Sequence, residues 1–125
     1  MAKPRSKTEK KIDNNIRQAL TVACDHFLED IPGFQWLTHQ VNYTNYPASL
    51  LITCVFDTME NSKNADIASI QKLVLTKLLK IGVKLKSPER QIIFDSEEAC
   101  TMENAGQWAE RLEKTKGRAL PKNRP

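Results

Sequence analysis

The chain has 125 residues, a formal net charge of +4, 40% hydrophobic residues and 27% charged residues. That is the composition of one globular domain, with enough apolar residues for two or three helices on a small sheet. No run of 18 apolar residues is present to span a membrane, and the basic N-terminus is not followed by an apolar leader. Three scattered cysteines do not make a disulfide framework, so a reduced, cytoplasmic protein is expected.

In chain order, Ile12, Ile16, Ala19, Leu20, Ala23, Phe27 and Ile31 recur at spacings of three and four. They predict an amphipathic helix from about Lys10 to Ile31, stopped by Pro32-Gly33. From Phe34 to Tyr43 the period changes to two, with Leu37, Val41 and Tyr43 on one face of a strand and Phe34 and Trp36 on the other. Thr44 to Ser49 reads as a turn, and Leu50 to Phe56, apolar on both faces, as a central strand. A hairpin centred near Tyr46-Pro47 would pair Leu37 with Phe56, His39 with Cys54, Val41 with Ile52 and Tyr43 with Leu50.

Thr58 to Asn64 is polar and predicts a loop. Ile67, Ile70, Leu73, Val74, Leu78 and Ile81 predict a second, heavily buried helix, with Gly82 as its C-cap. Val83 and Leu85 suggest a short extended piece, ended by Ser87-Pro88. Gln91 to Asp95 predicts a third strand, and Asn104 would cap a last helix over 105–113 carrying Trp108 and Leu112. The expected class is α+β, in the order α-β-β-α-β-α: a small three-stranded sheet with two main helices on one face. The other face would show Trp36, Leu51 and Val55, a patch needing a cover from the last helix or from a partner, a second copy included.

The charge is unevenly placed. Residues 1–11 hold five bases and one acid, residues 114–125 five bases and no acid, and the middle nine bases against fourteen acids. The chain therefore divides into a basic, flexible arm (1–9), a domain (10–113) and a basic, flexible tail (114–125). Basic arms bind phosphate by releasing counterions. The expected nucleic-acid contacts are Lys3, Arg5, Lys7, Lys10 and Lys11 at the N-terminus and Lys114, Lys116, Arg118, Lys122 and Arg124 at the C-terminus. A lysine-rich strip within the domain (Lys72, Lys77, Lys80, Lys84, Lys86, Arg90) adds to them. On this reading polyanion contact lives on the extensions, and removing both should weaken it.

Chemistry is hard to place elsewhere. His39 beside Cys54 is the one hint of a nucleophile with a base, and it depends on the hairpin register. Cys24 and His26, two apart, point to different helical faces and lack further ligands for a metal. Asp95, Glu97 and Glu98 run along the chain as a solvated acidic face would. The four glycines are isolated, which excludes a Gly-rich phosphate loop. Trp36 beside Phe34 on an open sheet face would suit base stacking. The last helix, with Glu103, Glu110 and Glu113 against Arg111, is too acidic to read a major groove. No catalytic constellation stands out, and a non-enzymatic protein without cofactor, metal or evident small-molecule substrate is expected.

Lys10-Lys11-Ile12-Asp13-Asn14, Gly33 to His39, Val41-Asn42-Tyr43, Pro47 to Leu50 and Cys54 to Thr58 resemble a family of small, uncharacterised bacterial proteins. The likeness runs from about Lys7 to Leu112. Members often carry the label "Fis family transcriptional regulator", which implies DNA binding and transfers no individual functional residue. At the level of pattern, the α-β-β-α-β order with a lysine-bearing second helix is similar to ribosome-binding factor A and other KH-like domains. That likeness implies RNA or ribosome contact, although Lys80-Ile81-Gly82 stands where ribosome-binding factor A has its Ala-x-Gly kink and no GxxG loop is present. The function expected is nucleic-acid binding, with a protein-interaction or dimerisation module as the alternative.

Overall fold

The structure, a computed structural model, describes residues 6–119, with the backbone alone for 115–119. Helix α1 (Lys7–Asp30) starts three residues before the expected Lys10 because the Ser6 hydroxyl accepts the Glu9 N–H. Residues 7–9 of the expected arm are therefore helical, and Lys3 and Arg5 lie outside the described residues. Ile16, Leu20, Ala23 and Phe27 are buried along one side of α1.

Gly33 turns the chain into strand β1 (Phe34–Gln40) at φ +81°. Its carbonyl accepts the Asp57 N–H at 2.8 Å. A Cβ there would lie 2.4 Å from Asn61 Nδ2 and 2.6 Å from Asp57 Oδ1. Gly33→Ala combines left-handed strain with that collision and is expected to cost about 2–3 kcal/mol, read as a lower urea midpoint at unchanged slope.

Strand β2 (Leu51–Phe56) is buried at every position and lies between β1 and β3. The hairpin register differs by two residues from the expected one: Leu37 faces Cys54 and His39 faces Ile52. A slip of two preserves the faces. The long turn causes it, since Ser49 Oγ donates to the Asn42 carbonyl and accepts the Asn42 N–H, closing the connection earlier in β1. A bulge between Phe34 and Trp36 adds a second difference. Phe34 pairs with Phe56 on the core side, packed edge-on against it at 5.7 Å, rather than sharing a face with Trp36.

The segment expected as a loop forms a short helix, α2 (Met59–Asn64), whose first turn is held by Thr58 Oγ1 accepting the Asn61 N–H. Helix α3 (Ile67–Lys80) follows, capped by Asp66. It ends as expected: Gly82 takes φ +82° and the Val83 N–H reaches back to the Leu78 carbonyl. Val83 and Leu85 are buried anchors without strand pairing. A single turn, α4 (Pro88–Gln91), leads into β3 (Ile92–Ser96), which runs parallel to β2.

The C-terminal region holds two helices rather than one. Ser96 caps α5 (Glu97–Asn104), so Glu97 and Glu98 open a helix; α6 spans Trp108–Ala119. The expected tail from Lys114 is thus helical as far as Ala119, and Lys122 and Arg124 lie outside the described residues. The fold is α+β with a mixed three-stranded sheet. Helices α1 and α3 close one face over Ile52, Cys54 and Phe56, while α5 and α6 cover the other. Among the described residues no helix is long and apolar enough to cross a membrane.

Candidate nucleic-acid interface

The topology decides where the cations go. Helix α1 runs antiparallel to β1: Phe27, near its end, stacks on Phe34 at 5.3 Å, and Asp13, near its start, meets His39 and Tyr43 at the far end of β1. Because β3 is parallel to β2, α3 must carry the chain back from the end of β2 to its beginning. The start of α3 therefore lies beside the end of α1, where Asp66 and Ser69 share a groove with Phe27 and Asp30. Its last turn, with Lys77 and Lys80, returns to the end where α1 begins.

The same end collects the other bases. Lys84, Lys86 and Arg90 lie between α3 and β3, and Gln91 fixes that segment by donating to the Pro47 and Leu50 carbonyls at the entrance to β2. Helix α6 starts over Trp36 and reaches the Leu112 carbonyl at Gln40, so it too points toward this end and carries Lys114 there. Its backbone continues past Lys116 and Arg118, whose side chains lie outside the described residues. Three stretches separate in sequence thus form one cationic pole. Lys72, halfway along α3, marks its lower edge.

Lys7, Lys10, Lys11, Lys72, Lys80, Lys84, Lys86, Arg90 and Lys114 are all exposed. None of them forms an ion pair with another described residue. Lysines in the first turns of α1 also oppose its dipole, a small cost in stability with no structural return. Glu9, Glu89 and Glu113 share the pole, which stays strongly positive. Asp25, Glu29 and Asp30 at the end of α1, Asp57 and Glu60 around α2, and Glu98, which accepts the Met59 N–H, gather at the opposite end.

A polar cluster buttresses the cationic pole. Asp13 Oδ1 pairs with His39 Nε2 at 2.9 Å and accepts the Tyr43 hydroxyl at 3.0 Å, while its Oδ2 accepts from Arg17 at 2.9 Å. Burial alone would raise the Asp13 pKa, but the hydrogen bonds from His39, Arg17 and Tyr43 and the charge of His39 hold it below the usual carboxylate value. Burial, then the bond to Asp13, pushes the Tyr43 phenol upward. A depressed carboxylate stabilises the fold above its unfolded pKa and loses that contribution as pH falls through the folded value. Asp13→Asn is expected to cost about 1–3 kcal/mol at pH 7, with the gap to the unmodified chain closing below about pH 4 in urea titrations run across pH.

Tyr46 packs beside Tyr43 with ring centroids 5.9 Å apart and 30° between planes, half-buried at the same pole. The aromatics expected to stack bases sit elsewhere: Phe34 is in the core, and Trp36 is closed under Trp108 at 4.8 Å. The turn dipeptide Tyr46-Pro47 is the signal for this tyrosine, which packs partly against the core and partly faces out.

The other sequence candidates resolve structurally. Cys54 is fully buried, and burial pushes its thiol up to about 12. His39 pairs with Asp13 instead, so no nucleophile–base couple forms. Among the described residues no group of His, Cys, Asp or Glu is placed to hold a metal. Leu51 and Val55 are buried, so the patch they would form with Trp36 is not open. Its cover is the last helix, fastened by Trp36 Nε1 and Trp108 Nε1 donating to the two oxygens of Glu97 at 2.7 and 2.8 Å. Arg111 grips Asp95 on the other side of Val55. Of the acidic run read as a solvated face, Asp95 and Glu97 make this fastening, while Glu98 stays exposed and accepts the Met59 N–H. No family model, no curated protein and no solved structure matches the chain.

Proposed function

We propose that the protein binds nucleic acid through its cationic pole, contacting the phosphate backbone with little sequence selectivity. The observation that carries this reading is the convergence on one end of an otherwise acidic body of exposed cations from α1, the end of α3 and its connection to β3, and α6 (Lys114), with no ion pair to another described residue. Such a concentration raises the local potential and steers a polyanion to one orientation. The half-buried Tyr46 ring beside it offers a face on which an unpaired base can stack. Both resemblances noted in the sequence imply nucleic-acid contact, one to DNA and the other to RNA or ribosomes. The acidic character of the remaining surface disfavours wrapping, so the contact is end-on and short.

Fluorescence anisotropy with a labelled duplex and the matching single strand, at two salt concentrations, tests the reading. The expected result is affinity that falls steeply with salt and changes little with sequence. No binding to either probe at the lower salt overturns it.

A further inference from the structure

At the acidic end, α1 and α3 diverge and leave a groove of about 590 Å³. Phe27, Ile31, Pro32 and Leu73 line it together with the polar His26, Asn64 and Ser69, and the exposed Asp30 and Asp66 add negative charge. At the cationic end the outer side of α3 shows the reverse: Leu79 is 55% exposed, with Lys72 two turns below on the same side and Lys80 next in the chain, about 100° round the helix. An exposed apolar side chain accompanied by two lysines of its helix at one end thus complements a partly apolar slot edged by two aspartates at the other.

We propose that copies of this chain associate head to tail, Leu79 of one copy seating in the α1–α3 groove of the next while Lys80 and Lys72 meet the aspartates on its rim. The occupant is a second copy because the chain itself carries the complementary apolar and charged surface, at the far end of the same helix. Two different patches make such a contact heterologous, so association is open-ended rather than closing at a dimer. It competes for Lys72 and Lys80 with polyanions, yet it does not depend on nucleic-acid binding: the groove lies at the other end of the molecule.

Sedimentation velocity of the full chain at low salt tests this. The weight-average sedimentation coefficient is expected to rise with concentration without a dimer plateau, and to fall back to the monomer value as salt screens the rim charges. Leu79→Ser and Asp30→Arg, both at exposed positions, are each expected to weaken association at least tenfold. Mixed in equal amounts, the two variants offer one intact groove and one intact Leu79 surface between them, and are expected to stop at a 1:1 dimer. A strictly monomeric unmodified chain at low salt overturns the proposal. So does a dimer that both variants leave intact, or a mixture that forms no dimer. Asp30→Arg is remote from the cationic pole, so retained polynucleotide binding by this variant separates the fate of this proposal from that of the nucleic-acid reading.

Discussion

Arg111→Ala is expected to lower the unfolding free energy by about 3–5 kcal/mol, the largest loss from any single charged side chain of this domain. The guanidinium makes a bidentate pair with Asp95, Nε to Oδ2 and Nη2 to Oδ1, the latter at 2.9 Å. Its Nη1 donates to Glu103 at 2.8 Å and to the Asn104 side chain at 2.9 Å. The Arg111 and Asp95 side chains are only 12% and 10% exposed, so water screens the pair weakly. Hydrogen bonds to Asp95 hold Arg111 charged through the whole accessible pH range. Truncating it strands a carboxylate against the sheet, where the neighbouring Ser96 N–H is the partner left to it. It also frees α6 from β3, loosening the Trp36–Trp108 contact that Glu97 organises.

Urea unfolding followed by tryptophan fluorescence reads this directly, since one of the chain's two tryptophans opens α6 and the other lies beneath it. The double variant Asp95→Ala/Arg111→Ala is expected to lose less than the two single losses added, because it strands no charge. Arg111→Lys is expected to recover little, as an ammonium cannot reproduce the two-pronged geometry. A loss below about 1 kcal/mol for Arg111→Ala would mean the pair behaves like a solvent-screened surface bridge, and the fastening of α6 would have to come from apolar burial alone.

The parts of this fold that were legible are those written in local periodicity. Ile16-Leu20-Ala23-Phe27 and Ile70-Val74-Leu78 turn up buried along α1 and α3, and the doubly apolar Leu51–Phe56 is the central strand. Gln35 sits in the β1 bulge and breaks the strict alternation that the two-residue period assumes, so Phe34 faces the core and not the side of Trp36. Helix α2 has no apolar stripe; it forms because Thr58 caps it and Asp57 accepts from Asn61 at 2.8 Å. The acids 95, 97 and 98 read as surface because their partners are distant in sequence: Glu97 binds Trp36, 61 residues away, and Glu98 holds Met59, 39 away. The cationic pole shares that logic. Its three basic stretches were visible as charge, but their meeting depends on β3 running parallel to β2, a pairing that no residue type in Ile92–Ser96 dictates.

Neutralising the centre of that pole is the second large effect expected. Lys80→Gln, Lys84→Gln and Lys86→Gln together remove three exposed charges, without an ion pair to another described residue, from the end of α3 and its connection to β3, and leave the core that Val83 and Leu85 anchor untouched. If each contacts a phosphate, the slope of log K against log salt on duplex DNA becomes shallower by about 2–3, and affinity at about 50 mM salt falls on the order of 100-fold. The loss is expected to be uniform across sequences, since phosphate contacts position a protein without reading bases. The matched control removes charge from the other end: Asp25→Asn, Glu29→Gln and Asp30→Asn change net charge by the same amount in the opposite sense, at exposed positions on the last turns of α1. A general charge effect predicts that this acidic-end variant gains as much affinity as the lysine variant loses. A localised interface predicts a gain far smaller than that loss, because a Debye length of about 10 Å near 0.1 M salt is shorter than the span of α1. Equal and opposite changes in the two variants would disperse the interface over the whole surface, and the convergence of the three basic segments would then be a feature of the fold with no bearing on binding.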